Sequence, residues 1–364
     1  MRKMKRVLSI LLALLLAVSV SVPAFAADKT ELQKAIDISG AYLQKTVANP
    51  QVSSIGGEWT AIGLARSGID VPQEYFEKYY KTAVETTAQK KGVLHARKYT
   101  EYSRVVLALN AIGADPSDVG GYDLLKPLAD FEKVTGQGIN GAVWALLALD
   151  SGGYEIPIVP DVKIQATRQM YVEQILSKQL ADGGWNLSGE GSADPDVTGM
   201  VLQALSKYTE QPAVKKAVEQ ALNCLSRMQD ETGGFSSYDT DTSESVVQVI
   251  VALGELGIDL QDERFVKNGN TLLDTLLGYW NTDGSFRHTP SGESNLMATE
   301  QGFYGLVAAQ RAMNGKNSLY QMEDRKQEAE TPVKEEQNEK EAVEHLSVDL
   351  PARWAAAFGR MRQK

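Results

Sequence analysis

The sequence has very little cysteine or histidine: Cys224 stands alone, and the histidines are His95, His288 and His345. A single cysteine excludes an internal disulfide and any multi-cysteine zinc site. We therefore expect no bound metal and no cofactor. Since Cys224 is surrounded in sequence by alanine and leucine, we expect it to be a small core residue.

Basic residues are outnumbered as well. The chain carries 37 Lys and Arg against 47 Asp and Glu, a formal net charge of −10. Binding the phosphate backbone requires a basic face, so we expect no nucleic-acid partner. The same acidity disfavours attraction to an anionic bilayer. After the N-terminal segment, no stretch is apolar enough to cross a membrane.

The N-terminal segment has the pattern of a signal peptide. Basic residues up to Arg6 precede an apolar run over residues 7–22, and Ala24-Phe25-Ala26 follows as a small-residue cleavage site. We predict a signal peptide over residues 1–26 and a secreted or cell-envelope location. The chain would contact a membrane only if this segment stayed uncleaved.

Two kinds of helix alternate through the body. Six segments carry apolar residues on nearly every face, which predicts helices buried all round: residues 58–70, 101–115, 138–150, 196–208, 244–259 and 299–311. Six amphipathic segments lie between them: residues 30–47, 73–90, 122–134, 162–178, 213–229 and 262–280. Strict alternation predicts an all-α ring of two concentric layers, six inner and six outer helices, over residues 28–320.

The C-terminal part has a different composition. Residues 321–350 are rich in Glu and Gln and poor in large apolar residues, which predicts a disordered acidic linker. Residues 351–364 contain Trp354, Phe358 and Met361 with basic residues and no acid. They form either a short amphipathic docking helix or a frayed terminus.

Turns between outer and inner helices share one motif, Gln-x-x-x-Gly-x-aromatic. The glycine supplies the positive φ that ends a helix, the aromatic ring fills the gap between successive hairpins, and the glutamine bonds the turn backbone. Weaker copies occur at residues 280–286 and 57–59. The two good copies are formed by Gln179, Gly183, Trp185 and by Gln229, Gly233, Phe235.

These copies resemble the repeats of the squalene cyclase and protein-prenyltransferase superfamily, whose fold is the α6/α6 toroid. The resemblance covers roughly residues 30–315. The chain is also similar to secreted Gram-positive toroid proteins and, more distantly, to cobalamin carriers of the transcobalamin type. Since the fold includes cyclases, zinc transferases and non-catalytic binders, the resemblance implies the fold more than an activity.

The segment from Asp194 to Gly199 resembles the Asp-x-Asp-Asp-Thr-Ala motif of class II triterpene cyclases. Asp196 matches the proton donor, but Val197 replaces the adjacent Asp, and protonating an alkene needs an unusually acidic carboxyl group. We therefore expect Asp196 to be an N-cap at the start of the fourth inner helix. It is catalytic only if the chain is a cyclase-like enzyme.

Inner helices of a ring share one direction, so their N-terminal ends share one rim. This rim carries aromatic and polar residues around an apolar interior, which is typical of a small-molecule site. We predict a ligand site formed by Trp59, Tyr102, Asn140, Trp144, Asp196, Glu244, Glu300, Gln301 and Tyr304.

Three functions remain open. The first is a secreted toroid that binds a small molecule (isoprenoid-like or cobalamin-like) or a cell-envelope partner, without catalysis. The second is a class II terpene cyclase-like enzyme that acts on isoprenoids through Asp196. The third is a protein–protein interaction module of the cell envelope.

Overall fold

The computed structural model describes residues 29–324. In this range, twelve α-helices alternate between an inner and an outer position. The inner helices are α2 (Trp59–Ser67), α4 (Thr100–Ala111), α6 (Ile139–Ser151), α8 (Pro195–Leu205), α10 (Ser243–Leu256) and α12 (Leu296–Met313). The outer helices are α1 (Lys29–Thr46), α3 (Gln73–Gln89), α5 (Phe131–Thr135), α7 (Arg168–Leu176), α9 (Pro212–Met228) and α11 (Leu272–Leu277).

Three of the predicted segments lie wholly or largely outside the described residues. They are the predicted signal peptide (1–26), all but the first residues of the predicted linker (321–350), and the predicted tail (351–364). Between residues 29 and 324, no helix is both long and apolar enough to cross a membrane.

The inner helices close into a ring. Each packs against the next along the chain, and α12 packs against α2. Burial is complete along much of this layer; in α6, every residue from Gly141 to Ser151 is buried. Small residues permit the close approach, because a Cβ on Gly199 of α8 would meet the Gln248 backbone of α10 at 2.9 Å. The predicted α6/α6 toroid is confirmed.

Three outer helices are shorter than predicted, because local chain breakers interrupt the apolar pattern. Pro127 lies in a 3₁₀ turn before α5, and Asp130 then caps α5 by accepting from the Lys133 amide. Thr167 is the N-cap of α7: its side chain accepts from the Met170 amide, so the helix begins at Arg168, later than predicted. Before α11, Asn268 adopts a φ of 51°, in the left-handed region that a helix excludes.

The glutamine of each repeat turn joins two neighbouring outer elements. Gln179 Nε2 donates to the Gly183 carbonyl at 2.8 Å and to the Ala217 carbonyl of α9 at 3.0 Å. Gln229 does the same in the second copy, bonding its own turn and the Phe265 carbonyl at 3.1 Å. The motif therefore fastens each hairpin to the next one.

The glycine and the aromatic residue complete this contact. Gly183 has a φ of 98° and lies so close to α9 that an added Cβ would meet the Gln220 carbonyl oxygen at 2.8 Å. Trp185 is fully buried, and its Nε1 donates to the Ile175 carbonyl at 2.9 Å. A side chain at Gly183 would separate the two hairpins.

The weak copy at residues 280–286 closes the outer layer. Trp280 replaces the glutamine, yet its Nε1 still reaches the next outer helix, at 3.1 Å from Ser39 Oγ of α1. A Cβ on Gly284 would lie 2.7 Å from the Ile38 carbonyl oxygen. The copy at residues 57–59 was wrong: Gly57 has a φ of −152°, and Trp59 lines a cavity instead of filling a gap.

Residues 318–324 lie across the C-terminal ends of the inner helices. The Glu255 carboxylate of α10 accepts from the Ser318 hydroxyl at 2.6 Å and from the Tyr320 amide at 2.8 Å. Arg66 and Arg311, near the ends of α2 and α12, both pair with Asp324. This segment therefore covers one mouth of the ring and leaves the N-terminal mouth as the approach to the interior.

Candidate functional site

A cavity of about 470 Å³ lies at the N-terminal mouth of the ring. Its walls come from the N-terminal parts of α2, α8, α10 and α12, from α6, and from two loops that precede α10 and α12. Because these helices are far apart in sequence, ring closure alone brings their side chains to one place.

One wall is aromatic. The Trp59 ring lies 5.2 Å from that of Trp144 and 5.7 Å from that of Tyr304, both at tilted angles. Behind this wall, Tyr320 meets Trp144 edge-on at 6.3 Å. Three rings from α2, α6 and α12 thus form a continuous π surface facing the cavity, supported from the covered end of the ring.

A second wall is acidic. Glu244 is 6% exposed; its Oε2 lies 2.9 Å from His288 Nδ1, whereas its Oε1 is buried without a hydrogen-bond partner among residues 29–324. Asp196 Oδ1 is likewise unpartnered within that range. Burial raises the pKa of Asp196 to about 6, and the Asp194 and Glu244 carboxylates add to the rise. The Ser245 hydroxyl and His288 partly offset it.

Helix α8 is capped by Asp194, so the expectation that Asp196 is the N-cap was wrong. Asp194 Oδ1 accepts from the Val197 amide at 3.0 Å, and Pro195 follows as the first helical residue. Proline favours the first helical position because its missing N–H is not needed there. Asp196 therefore occupies the second position, where its side chain is free to face the cavity.

With Asp194 as the cap, two neighbouring substitutions should differ in their effect on stability. Asp194→Ala removes the cap and should lower the free energy of unfolding by about 0.5–2 kcal/mol. Asp196→Asn, the matched control, should cause no loss at neutral pH, because it removes a carboxylate whose ionised form burial already disfavours. Urea unfolding of both variants checks this; a loss confined to Asp196→Asn would contradict the assignment.

A chain of side-chain amides lies between the two walls. Gln203 Nε2 donates to Gln248 Oε1 at 2.9 Å, and Gln248 Nε2 donates to the Tyr304 hydroxyl oxygen at 2.9 Å. The Tyr304 hydroxyl in turn donates to Gln301 Oε1 at 3.1 Å. These bonds fix the aromatic wall relative to α8 and α10, and they satisfy polar groups that would otherwise be buried without partners.

A small hairpin flanks the mouth, although the sequence showed no strand pattern. Strands β1 (Ser236–Ser237) and β2 (Thr240–Asp241) pair in antiparallel fashion around Tyr238 and Asp239, which both have positive φ. Ser237 Oγ donates to Asp194 Oδ2 at 2.6 Å and ties the hairpin to α8. Tyr238 lines the cavity while remaining 81% exposed.

Six of the nine predicted site residues meet in this cavity: Trp59, Trp144, Asp196, Glu244, Gln301 and Tyr304. The other three do not line it. Tyr102 is buried against Tyr99, with ring centroids 5.4 Å apart. Asn140 lies in the first turn of α6 with its Oδ1 buried and unpartnered within the described range.

Glu300 has a structural role instead of lining the cavity. Its carboxylate accepts from the Gly56 amide at 3.0 Å and from the Thr60 hydroxyl, and so holds the bend that precedes α2. Burial raises the pKa of Glu300 to about 7.

Sequence reasoning missed several lining residues, and a signal for some of them existed. Met200 and Gln248 follow Asp196 and Glu244 by four positions, one helical turn deeper on the same face. His288 comes two residues after the aromatic position of its repeat turn, as Ser237 does after Phe235. Residues two positions after the aromatic residue of the motif could therefore have been predicted to line the mouth of the ring.

Metal binding finds no support in the described part of the chain. Between residues 29 and 324, no three His, Cys, Asp or Glu side chains are grouped so that they could hold an ion. Cys224 is buried, with its Sγ 3.8 Å from Met228 Sδ.

One family model matches part of the chain. The model of the squalene-hopene cyclase C-terminal domain matches residues 163–265, which include both good repeat turns, Asp196 and Glu244. No curated protein has significant sequence similarity to the chain.

Among solved structures, the chain is similar to an unsaturated glucuronyl hydrolase from Bacillus sp. GL1, described as responsible for the degradation of glycosaminoglycan. The TM-score is 0.52 with 13% sequence identity, over 79% of this chain and 97% of the other. At that identity the likeness shows the fold alone.

Proposed function

We propose that this chain, which belongs to the superfamily of terpenoid cyclase-like α6/α6 toroids, binds a small molecule in the cavity at the N-terminal mouth of its ring. The observation that carries the proposal is the pairing of a three-ring aromatic wall with buried, unpartnered carboxylate oxygens in one 470 Å³ space. We further propose that the protein acts after export, directed by residues 1–26.

The size and composition of the cavity support a small ligand. Small-molecule sites typically enclose about 300–1,000 Å³ and combine apolar walls with a few convergent polar groups. Buried polar atoms without partners are costly, so a site that retains two of them beside a cavity is suited to a ligand that supplies donors.

The charge of the walls disfavours an anionic ligand. Among the described residues that line the cavity, none is Lys or Arg, and His288 is already paired with Glu244. A carboxylate or sulfate group entering beside Asp196 and Glu244 would meet like charge in a poorly solvated space. A polyanionic substrate of the glycosaminoglycan kind therefore does not suit this cavity.

Native mass spectrometry of the full chain, purified without denaturant, tests the proposal. We expect a non-covalent small-molecule adduct on the wild type that disappears in Met200→Trp, which fills the cavity. Met170→Trp makes the same change on α7, away from the cavity, and should keep the adduct. An adduct that survives Met200→Trp would place the ligand elsewhere, and an unliganded wild type would count against binding.

Acid-catalysed conversion of an isoprenoid is a second candidate, favoured by one observation. Burial raises the pKa of Asp196 to about 6, which keeps part of the population protonated near neutral pH and so able to donate. A carboxyl group with this pKa is a weaker acid than alkene protonation requires, so this candidate stands second. Cyclic products from squalene or shorter polyprenyl compounds that vanish in Asp196→Asn would establish this candidate in place of the non-catalytic one.

A further inference from the structure

The two carboxylates of the cavity are not needed by the helices that carry them. Acidic residues often occupy a first turn to satisfy free amides or to complement the helix dipole. Here Asp194 caps α8, and the Thr242 hydroxyl caps α10 by accepting from the Ser245 amide at 3.1 Å. Asp196 Oδ1 and Glu244 Oε1 remain without partners among residues 29–324.

Their position makes these oxygens unusual. Glu244 is more than nine-tenths buried, and both side chains line the cavity together with Trp59, Trp144 and Tyr304. A buried carboxylate oxygen that accepts nothing costs free energy, and a nearby second carboxylate increases that cost. A donor that carries positive charge would remove both penalties at once.

The aromatic wall fits the same kind of group. The faces of tryptophan and tyrosine rings attract cations, and the attraction strengthens where water is excluded. The same faces, with the Met200 and Met297 side chains that also line the cavity, present an apolar surface to the rest of a ligand. Charge at one end and an apolar body at the other would therefore match the two walls.

We propose that the ligand is an organic cation: a protonated amine carried on an apolar, preferably aromatic, body. The ammonium group pairs with the carboxylates of Asp196 and Glu244, and the body lies against the rings of Trp59, Trp144 and Tyr304. The inference rests on the proposed function, because it needs the cavity to be the binding site.

Three indole compounds of similar size test the charge requirement on the wild-type full chain by isothermal titration calorimetry. Tryptamine carries an ammonium group, tryptophol a neutral hydroxyl group, and indole-3-propionate a carboxylate. We expect tryptamine to bind about tenfold more tightly than tryptophol, or better, because charge-assisted hydrogen bonds are roughly twice as strong as neutral ones. We expect no binding of indole-3-propionate.

Isosteric variants test whether the carboxylates of Glu244 and Asp196 bind the ammonium group. Glu244→Gln and Asp196→Asn should each weaken tryptamine binding about tenfold while leaving tryptophol unchanged, since each removes one charged acceptor and keeps the shape. Asp239→Asn, which changes an acid on the hairpin beside the mouth that does not line the cavity, is the matched control and should leave both affinities unchanged. Thermal unfolding of each variant verifies that the fold is retained.

The pH provides an independent readout. Tryptamine affinity should be higher above the Asp196 pKa of about 6 than below it, because only the ionised carboxylate attracts the ammonium group. Asp194, Glu244, His288 and Ser245 also face this group, so Asp196→Asn identifies the part of the pH dependence that belongs to Asp196.

The outcomes separate the two proposals. Equal binding of tryptamine and tryptophol, or preferred binding of indole-3-propionate, would overturn the organic cation and leave the cavity as a ligand site. If Met200→Trp leaves tryptamine binding unchanged, tryptamine does not bind in the cavity. That result would overturn both proposals. Absence of tryptamine binding, while native mass spectrometry finds a neutral or anionic adduct, would overturn the cation alone.

Discussion

Replacing Trp185 by alanine is expected to lower the free energy of unfolding by roughly 3–5 kcal/mol, the range measured for large aromatic residues truncated in a core. Trp185 has no exposed surface. Its Nε1 donates to the Ile175 carbonyl of α7, and its backbone amide donates to Thr198 Oγ1 at 3.0 Å. Truncation therefore leaves a cavity between two hairpins and an unpaired carbonyl.

Two controls distinguish this loss from a general effect of the loop. Trp185→Phe should cost clearly less, because Phe235 and Phe286 occupy the same position of the other copies and are equally buried. Leu187→Ala, two residues further and 52% exposed, should change the stability by no more than about 0.5 kcal/mol. Urea unfolding of the three variants gives the comparison. A Trp185→Ala protein as stable as the wild type would mean that the repeat turn does not hold the hairpins together.

The second large effect is expected at Tyr320, in the segment that covers the C-terminal ends of the inner helices. Tyr320 is 3% exposed and its ring lies against Trp144. Tyr320→Ala should lower the free energy of unfolding by about 3–5 kcal/mol, as for other buried aromatic truncations. It should also weaken ligand binding, because Trp144 loses the ring that supports the aromatic wall from behind.

Tyr320→Phe is the matched control, since it keeps the ring and the backbone bond to Glu255. It should retain nearly all of the stability and all of the ligand binding. The two quantities are measured separately, by urea unfolding and by titration with tryptamine. Unchanged stability of Tyr320→Ala would show that residues 318–324 contribute little to the ring.

The outline of the fold followed from the sequence because its signals are local. Apolar residues on every face require a helix such as α6 to be buried all round, and one-sided patterns place helices such as α9 outside. The glycine and aromatic of the motif at Gly183 and Trp185 likewise act within a few residues. Ring closure then follows from the alternation of these two helix types.

Helix lengths were less predictable. The apolar pattern of the third outer segment continues through Pro127, yet the helix begins only after Asp130. Caps and left-handed residues, such as Thr167 and Asn268, interrupt a periodic pattern that by itself would extend further. The position of such a break depends on which local hydrogen bond forms. The spacing of apolar residues carries no information about that bond.

Within the candidate site, the sequence determined the rim and the tertiary structure decided its chemistry. The sequence placed Asp196 and Glu244 at the starts of inner helices, but it did not determine that Asp194 would take the capping role and release Asp196 to the cavity. Nor did it pair His288 with Glu244, which is 44 residues earlier. Hydrogen bonds compete for partners across the whole ring, so the folded geometry alone decides which carboxylate oxygens remain unpartnered among the described residues.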